Sequence, residues 1–295
     1  MKTHPGSLPE WSPLIPARMG TARIALVVAV LLSWLGQGHL LAQHGHLNAG
    51  ATGKNQGDAL YFANGDDFIM SSGYVKTLVW TNDGRYAGYF HGGITPTVLP
   101  ATPDTGGPAP EAPALGSFIG MDLVSVNGPP GGLFGFWENG ATEPTVSVSD
   151  QGTETDRWLL SESEGEPGSD PFGHIHGRRF TATLPGLYRV GFRLVDLSTN
   201  GTEAGPIHTP SEVLYVHFQA GITITSVVRQ ADSAAVSFGA PVGGSYALEY
   251  STNLATSTVW TPIDSTVPGD DHFQTLLDPD ADGSTRFYRV RQISP

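Results

Sequence analysis

The chain has 295 residues, enough for one large domain or two ordinary ones that each bury a core. Fifteen Lys and Arg stand against 28 Asp and Glu, and the resulting net charge of -13 repels phosphate backbones and anionic lipid, which argues against nucleic acid as a partner. Cysteine is absent, so a disulfide framework, a thiolate metal site and a cysteine nucleophile are all excluded, and any metal must be held by His and carboxylates.

The apolar run "IALVVAVLLSWLG" (Ile24 to Gly36) follows Lys2, Arg18 and Arg23 and reads as an export signal. Cleavage after Ala42 predicts a mature chain starting at Gln43, with Met19 as an alternative start codon. An uncleaved anchor is the competing reading, because the run extended to Leu41 reaches about the length that spans a bilayer. Gln37, Gly38 and His39 interrupt it and favour cleavage. The expected location is extracytoplasmic (secreted, periplasmic or cell surface), with no membrane contact once the signal is removed.

The 38 Gly and 23 Pro disfavour helices, and from Asp58 onward short aromatic and β-branched runs alternate with Gly, Pro, Asn and Asp clusters. This predicts an all-β protein of two antiparallel β-sandwich units, residues 43–220 and a smaller 221–295. In "GLYRVGFRLVD", Tyr188, Val190, Phe192 and Leu194 fall on one face and Arg189, Gly191 and Arg193 on the other. "EVLYVHFQA" repeats the pattern with Leu214, Val216 and Phe218, so the two segments are expected to pair as neighbours. The Pro-rich stretch at 92–117 lacks periodicity and predicts a long surface loop inside one domain, with an interdomain linker as the alternative. After Ile222, "AAVSF", "YALEYS", "VWTPI" and "RFYRVRQ" form a second strand set, with Tyr246, Leu248 and Tyr250 facing inward.

"DPFGHIHGRRF" holds His174 and His176 at i and i+2, which on a strand project from the same face and can share one ion. Taken alone, such a pair is more often solvated decoration. A second His-x-His, His44 and His46, opens the mature chain, and His208 lies in "GPIHTP". Two pairs, or one pair with His208 or Asp170, would complete the three or four ligands that Zn²⁺ requires, and such a site empties below about pH 6 as imidazole protonates.

The remaining motifs carry less. "DPDADG" (Asp278 to Gly283) starts like a calcium loop but places Arg289 where a bidentate Glu belongs, so it reads as an acidic turn. "GPPGGLFGFWENG" lacks the Lys of a phosphate cradle, and its Phe134, Phe136 and Trp137 are expected in the core, with a sugar-stacking platform as the alternative. Asp66, Asp67, Glu162, Glu164 and Glu166 read as solvated carboxylates. No catalytic motif is present, and a non-enzymatic protein is expected.

Two resemblances follow from these residues. "DPFGHIHGRRFTATLPGLYRVGFRLVD" ending in "SEVLYVHFQA", with His174, His176, Phe180, Pro185, Gly186 and Tyr188, resembles the bacterial surface-anchored β domain of the choice-of-anchor M or actinobacterial type. "HLNAGA" with His46 looks like its companion element. The resemblance implies a link to metal acquisition or display, since such proteins often accompany metal-type ABC transporters. Tyr250, Ser251, Asn253, Leu254, Trp260 and "FYRV" (287 to 290) resemble a fibronectin-III-like terminal module of secreted bacterial proteins. No wall-sorting motif or basic tail follows it, so a released or periplasmic protein is expected. The leading expectation is a binding protein whose partner is a divalent metal, Zn²⁺ first, or a cell-surface ligand. Alternatives are a structural or adhesive protein without metal, a carbohydrate-binding module using Trp80 and Trp137, and, more distantly, a metal-dependent hydrolase.

Overall fold

The computed structural model describes residues 45–150, 156–174, 176–255, 258–283 and 285–294. The expected export signal and His44 lie outside them. By their contacts, Met1–Ala42 and Gln43–Pro295 are two units, and the described residues all belong to the second.

That unit is all-β, as composition predicts, and among the described residues its helical turns run to four residues at most. Up to Ala220 the strands are β1 (His46–Ala51), β2 (Leu60–Phe62), β3 (Lys76–Thr81), β4 (Tyr89–Gly92), β5 (Thr95–Val98), β6 (Ile119–Asn127) and β7 (Leu133–Trp137). They continue with β8 (Val146–Ser149), β9 (Asp156–Leu159), β10 (Gly173–His174), β11 (Arg179–Ala182), β12 (Gly186–Asp196) and β13 (Leu214–Ala220). Beyond the turn at Gly221 come β14 (Ile224–Gln230), β15 (Ser233–Ala240), β16 (Ser245–Ser251), β17 (Thr261–Pro268), β18 (His272–Asp278) and β19 (Phe287–Ser294). Among the described residues no helix is long and apolar enough to cross a membrane.

The first thirteen strands form a four-stranded sheet, β10-β5-β1-β2, and a nine-stranded one, β8-β7-β11-β4-β3-β13-β12-β6-β9. Both contribute to one core, with Leu47, Leu60 and Val98 from the small sheet and Phe134, Phe180, Phe192 and Phe218 from the large. The alternation in β12 has the expected consequence: Tyr188, Val190, Phe192 and Leu194 are all buried. β12 and β13 pair antiparallel, Tyr188 opposite Phe218 and Val190 opposite Val216. A second core joins Val236, Phe238, Tyr246, Leu248 and Leu276, drawn from the three-stranded sheets β14-β15-β18 and β17-β16-β19.

Two expectations need correction. The Pro-rich stretch is not loop throughout, because β5 lies inside it as an inner strand, parallel to β1 and antiparallel to β10. Thr95 and Leu99 donate their amides to Gly45 and Ala49 on the β1 side, so Pro96, one residue out of phase, turns its nitrogen to the other side. On that side, among the described residues, β10 pairs with Thr97 and Val98. In β16, Tyr246 and Leu248 are buried as predicted, but Tyr250 is only half-buried, with the Arg286 guanidinium 4.1 Å over its ring, and on the opposite face Glu249 is buried between Arg289 and Arg291, each donating an Nε–H at 2.7 Å.

The two cores are fastened by specific bonds. Val75 donates its amide to the Asp271 carbonyl, and Phe273 donates to that of Gly73. The buried Gln219 amide spans the junction, donating to Thr77 Oγ1 and to the Gly239 carbonyl, each at 2.8 Å.

Candidate functional site

Three adjacent strands of the small sheet build a histidine cluster. β5 is the middle strand, with His46 of β1 level with Thr95 on one side and His174 of β10 opposite Thr97 on the other. The two rings lean over β5 and stack with centroids 4.6 Å apart and planes 12° apart. Phe172 extends the column, its ring 6.5 Å from that of His174 and inclined by 3°. His176 meets His174 edge-on at 4.3 Å.

Thr97 lies beneath the stack, with its hydroxyl oxygen 3.1 Å from Nδ1 of both His46 and His174. With both Nδ1 atoms protonated, this oxygen accepts twice and each Nε2 carries a lone pair, the tautomer in which a histidine binds metal. The two glycines flanking the His-x-His are each required. A Cβ on Gly173 would collide with the Leu160 carbonyl, and Gly177 turns the chain at φ +83° against Asn139.

Asp170, weighed as a further ligand, instead secures the loop after β5. It accepts hydrogen bonds from the amides of Ala101, Thr102 and Phe172 and from the hydroxyls of Thr102 and Thr105. Burial pushes its carboxyl up, but these bonds outweigh that and hold it at about 2. The same bonds fix the approach to β10, as does Glu162, whose carboxylate accepts the His174 amide at 3.0 Å.

The predicted residues therefore divide. His46, His174 and His176 come together, while His44 lies outside the described residues. His208 does not join them. It is 1% exposed, its Nε2 accepts the Ala114 amide at 2.9 Å, and its Nδ1 is 3.0 Å from the Asp58 carbonyl. With both ring nitrogens engaged by backbone, His208 holds the fold. Among the described residues no three His or acidic side chains form a ready-made ion-binding group: the three rings meet as a stack and an edge contact.

Trp137 is 2% exposed and donates Nε1–H to Thr181, so it is a core residue and offers no sugar platform. Trp80 is 44% exposed, packs edge-on against Phe90 and donates to Asn82. Asp278 of the "DPDADG" turn is bound by Arg286 and the Tyr288 hydroxyl. Thr97 went unnoticed in sequence reasoning, since a threonine in a Pro-rich stretch carries no signal until the topology sets it between two histidines. Comparison with protein-family models, curated proteins and solved structures finds no match to this chain.

Proposed function

We propose that this chain is an exported, non-enzymatic binding protein of the cell envelope or the secreted fraction, and that His46, His174 and His176 hold a divalent metal, Zn²⁺ first by ligand type. One observation carries the reading: imidazoles 128 positions apart in sequence stack over a single threonine hydroxyl that engages both Nδ1 atoms. Stacked imidazoles gain little from each other alone, whereas Nδ1 atoms tethered to an outer partner are the usual setting of metal-bound histidine. His176 is exposed and edge-on, and in this proposal it is the ring that turns to complete the ligand set. The acidic composition, the export signal and the resemblance to surface-anchored domains support a role in metal handling outside the cytoplasm. The second core, fed by two three-stranded sheets, is read as the fibronectin-III-like module.

The test is Zn²⁺ titration of the metal-stripped mature chain against a chromogenic chelator. The wild type is expected to take up about one equivalent at pH 7.5, and His46→Ala and His174→Ala to weaken binding by at least about tenfold. Uptake below about 0.2 equivalents of Zn, Cu, Ni or Mn, or affinity unchanged in both variants, sinks the proposal and leaves the structural reading of the cluster.

A further inference from the structure

Beside the histidine cluster, and lined in part by Thr95, His176 and Gly177 from it, a cleft of about 520 Å³ opens between the large sheet and the second core. Its size lies within the roughly 300–1,000 Å³ of small-molecule sites, which favour such junctions. β3, β4 and β11 supply Lys76, Val79, His91 and Arg179, and the turn after β15 supplies Pro241 and Val242.

The lining is divided in character. Val79 and Val242 are both substantially exposed apolar side chains, and with Pro241 they give the cleft an apolar part. The polar part is cationic in a chain whose net charge is -13. Lys76 is neutralised by Asp271 at 2.6 Å, but among the described residues Arg179 has no carboxylate partner, and its Nη1 donates only to the Arg178 carbonyl. Gly93 lies against this guanidinium, where a Cβ would approach Nη1 to 3.3 Å.

His91 adds a second unsatisfied group. Tyr86 covers its ring at 4.8 Å, and its Nδ1 is buried without a hydrogen-bond partner among the described residues. Burial, and then the nearby Arg179, push His91 down from its ordinary value, so the ring is neutral at neutral pH and keeps one N–H to donate. Nδ1 is shielded from solvent, so with the proton on the other ring nitrogen it is Nε2–H that His91 offers to the cleft it lines.

We infer that this cleft binds a small organic carboxylate, its head on Arg179 and His91 and its apolar body on Val79, Pro241 and Val242. A guanidinium with a neighbouring N–H donor matches carboxylate geometry, and the apolar wall selects against bare inorganic anions. This site stands independently of the metal proposal, because none of the groups assigned to the ligand is among the metal-binding imidazoles.

The experiment is titration of the mature chain, in EDTA, with hexanoate, benzoate and phenylacetate, followed by saturation-transfer NMR, with the corresponding amides as controls. At least one carboxylate is expected to bind with a Kd below about 10 mM and its amide at least about tenfold more weakly. Arg179→Gln and Val242→Asp should each weaken the carboxylate by about tenfold or more, while His174→Ala should leave it unchanged. No binding by any of the three, equal binding of amide and carboxylate, or full affinity in Arg179→Gln overturns the inference. Binding that appears only when Zn²⁺ replaces EDTA overturns it as well and assigns the anion to the metal instead.

Discussion

Lys76 Nζ and Asp271 Oδ2 lie 2.6 Å apart with side chains only 9% and 13% exposed, joining the start of β3 to the turn before β18 across 195 residues of sequence. Asp271 sits at φ +59°, a conformation costly for a non-glycine residue and kept here by the backbone bond from Val75 and the ion pair. Removing one partner of such a shielded pair leaves a stranded charge. Lys76→Met is therefore expected to cost about 3 kcal/mol in urea unfolding, and the Lys76→Met/Asp271→Asn double variant less than the sum of the singles. A coupling energy under about 0.5 kcal/mol would mean that the pair does not fasten the two cores.

His208 provides the control for the metal proposal. Its ring bridges Ala114 and Asp58, while Asp196 accepts the amides of Ile207 and His208 and ties the same loop to Phe118 and Ser198. His208→Ala strands a buried amide and opens a cavity, and should lower stability by about 2–4 kcal/mol. Zn²⁺ affinity of the folded fraction should stay at the wild-type value. A large loss of affinity without a loss of stability would instead place His208 among the ligands.

Thr97→Val keeps the shape of the β5 side chain and deletes the oxygen shared by His46 and His174. A lost outer-shell partner of a metal-bound histidine typically costs about tenfold to a hundredfold in affinity, and that is the expected loss for Zn²⁺ here. Thr97→Ser, which restores the oxygen, should recover most of it. Equal affinities in the Val and Ser variants would show that the hydroxyl does not orient the rings.

Much of the frame was legible because strand period two writes burial directly into sequence. Tyr188, Val190, Phe192 and Leu194 alternate in the chain and are buried in the structure, and β12 pairs with β13 as their shared pattern implies. β5 was not legible: "TPTV" has no apolar alternation, and its inner position depends on partners 49 and 75 residues away, Leu47 opposite Pro96 and Gly173 opposite Val98. The site was half legible for the same reason. His-x-His spacing announces local chelation, but the stacking of His46 on His174 is set by which strands flank β5. Isolated His208 carried the same signal as a ligand, and only its buried backbone contacts distinguish it. The cleft left no trace in sequence, since Lys76, His91, Arg179 and Val242 are brought together only by the fold.

Asp170 makes the loop after β5 acid-sensitive in a definable window. Its carboxyl titrates at about 2 in the folded chain against an ordinary 3.8, so the folded state prefers the ionised form. The stability it contributes is complete above about pH 4 and is lost as pH falls from about 4 through about 2, where the folded carboxylate takes up its proton. Asp170→Asn removes the charge and several acceptor bonds. After allowance for partial exposure of the site, it should cost about 2 kcal/mol at pH 6. Other acidic groups titrate nearby, including Glu249, which burial pushes up but Arg289 and Arg291 hold down more strongly, so the informative quantity is the difference between wild type and variant. In urea unfolding at pH 6, 4, 3 and 2, that difference should stay level down to about pH 4 and shrink towards zero near pH 2. Because the amides of Ala101, Thr102 and Phe172 converge on this carboxylate three residues before β10, the variant should also loosen His174 and lower Zn²⁺ affinity at pH 7.5. A wild-type-to-variant difference that is constant from pH 6 to pH 2 would show that the bonds to Asp170 do not depend on its charge.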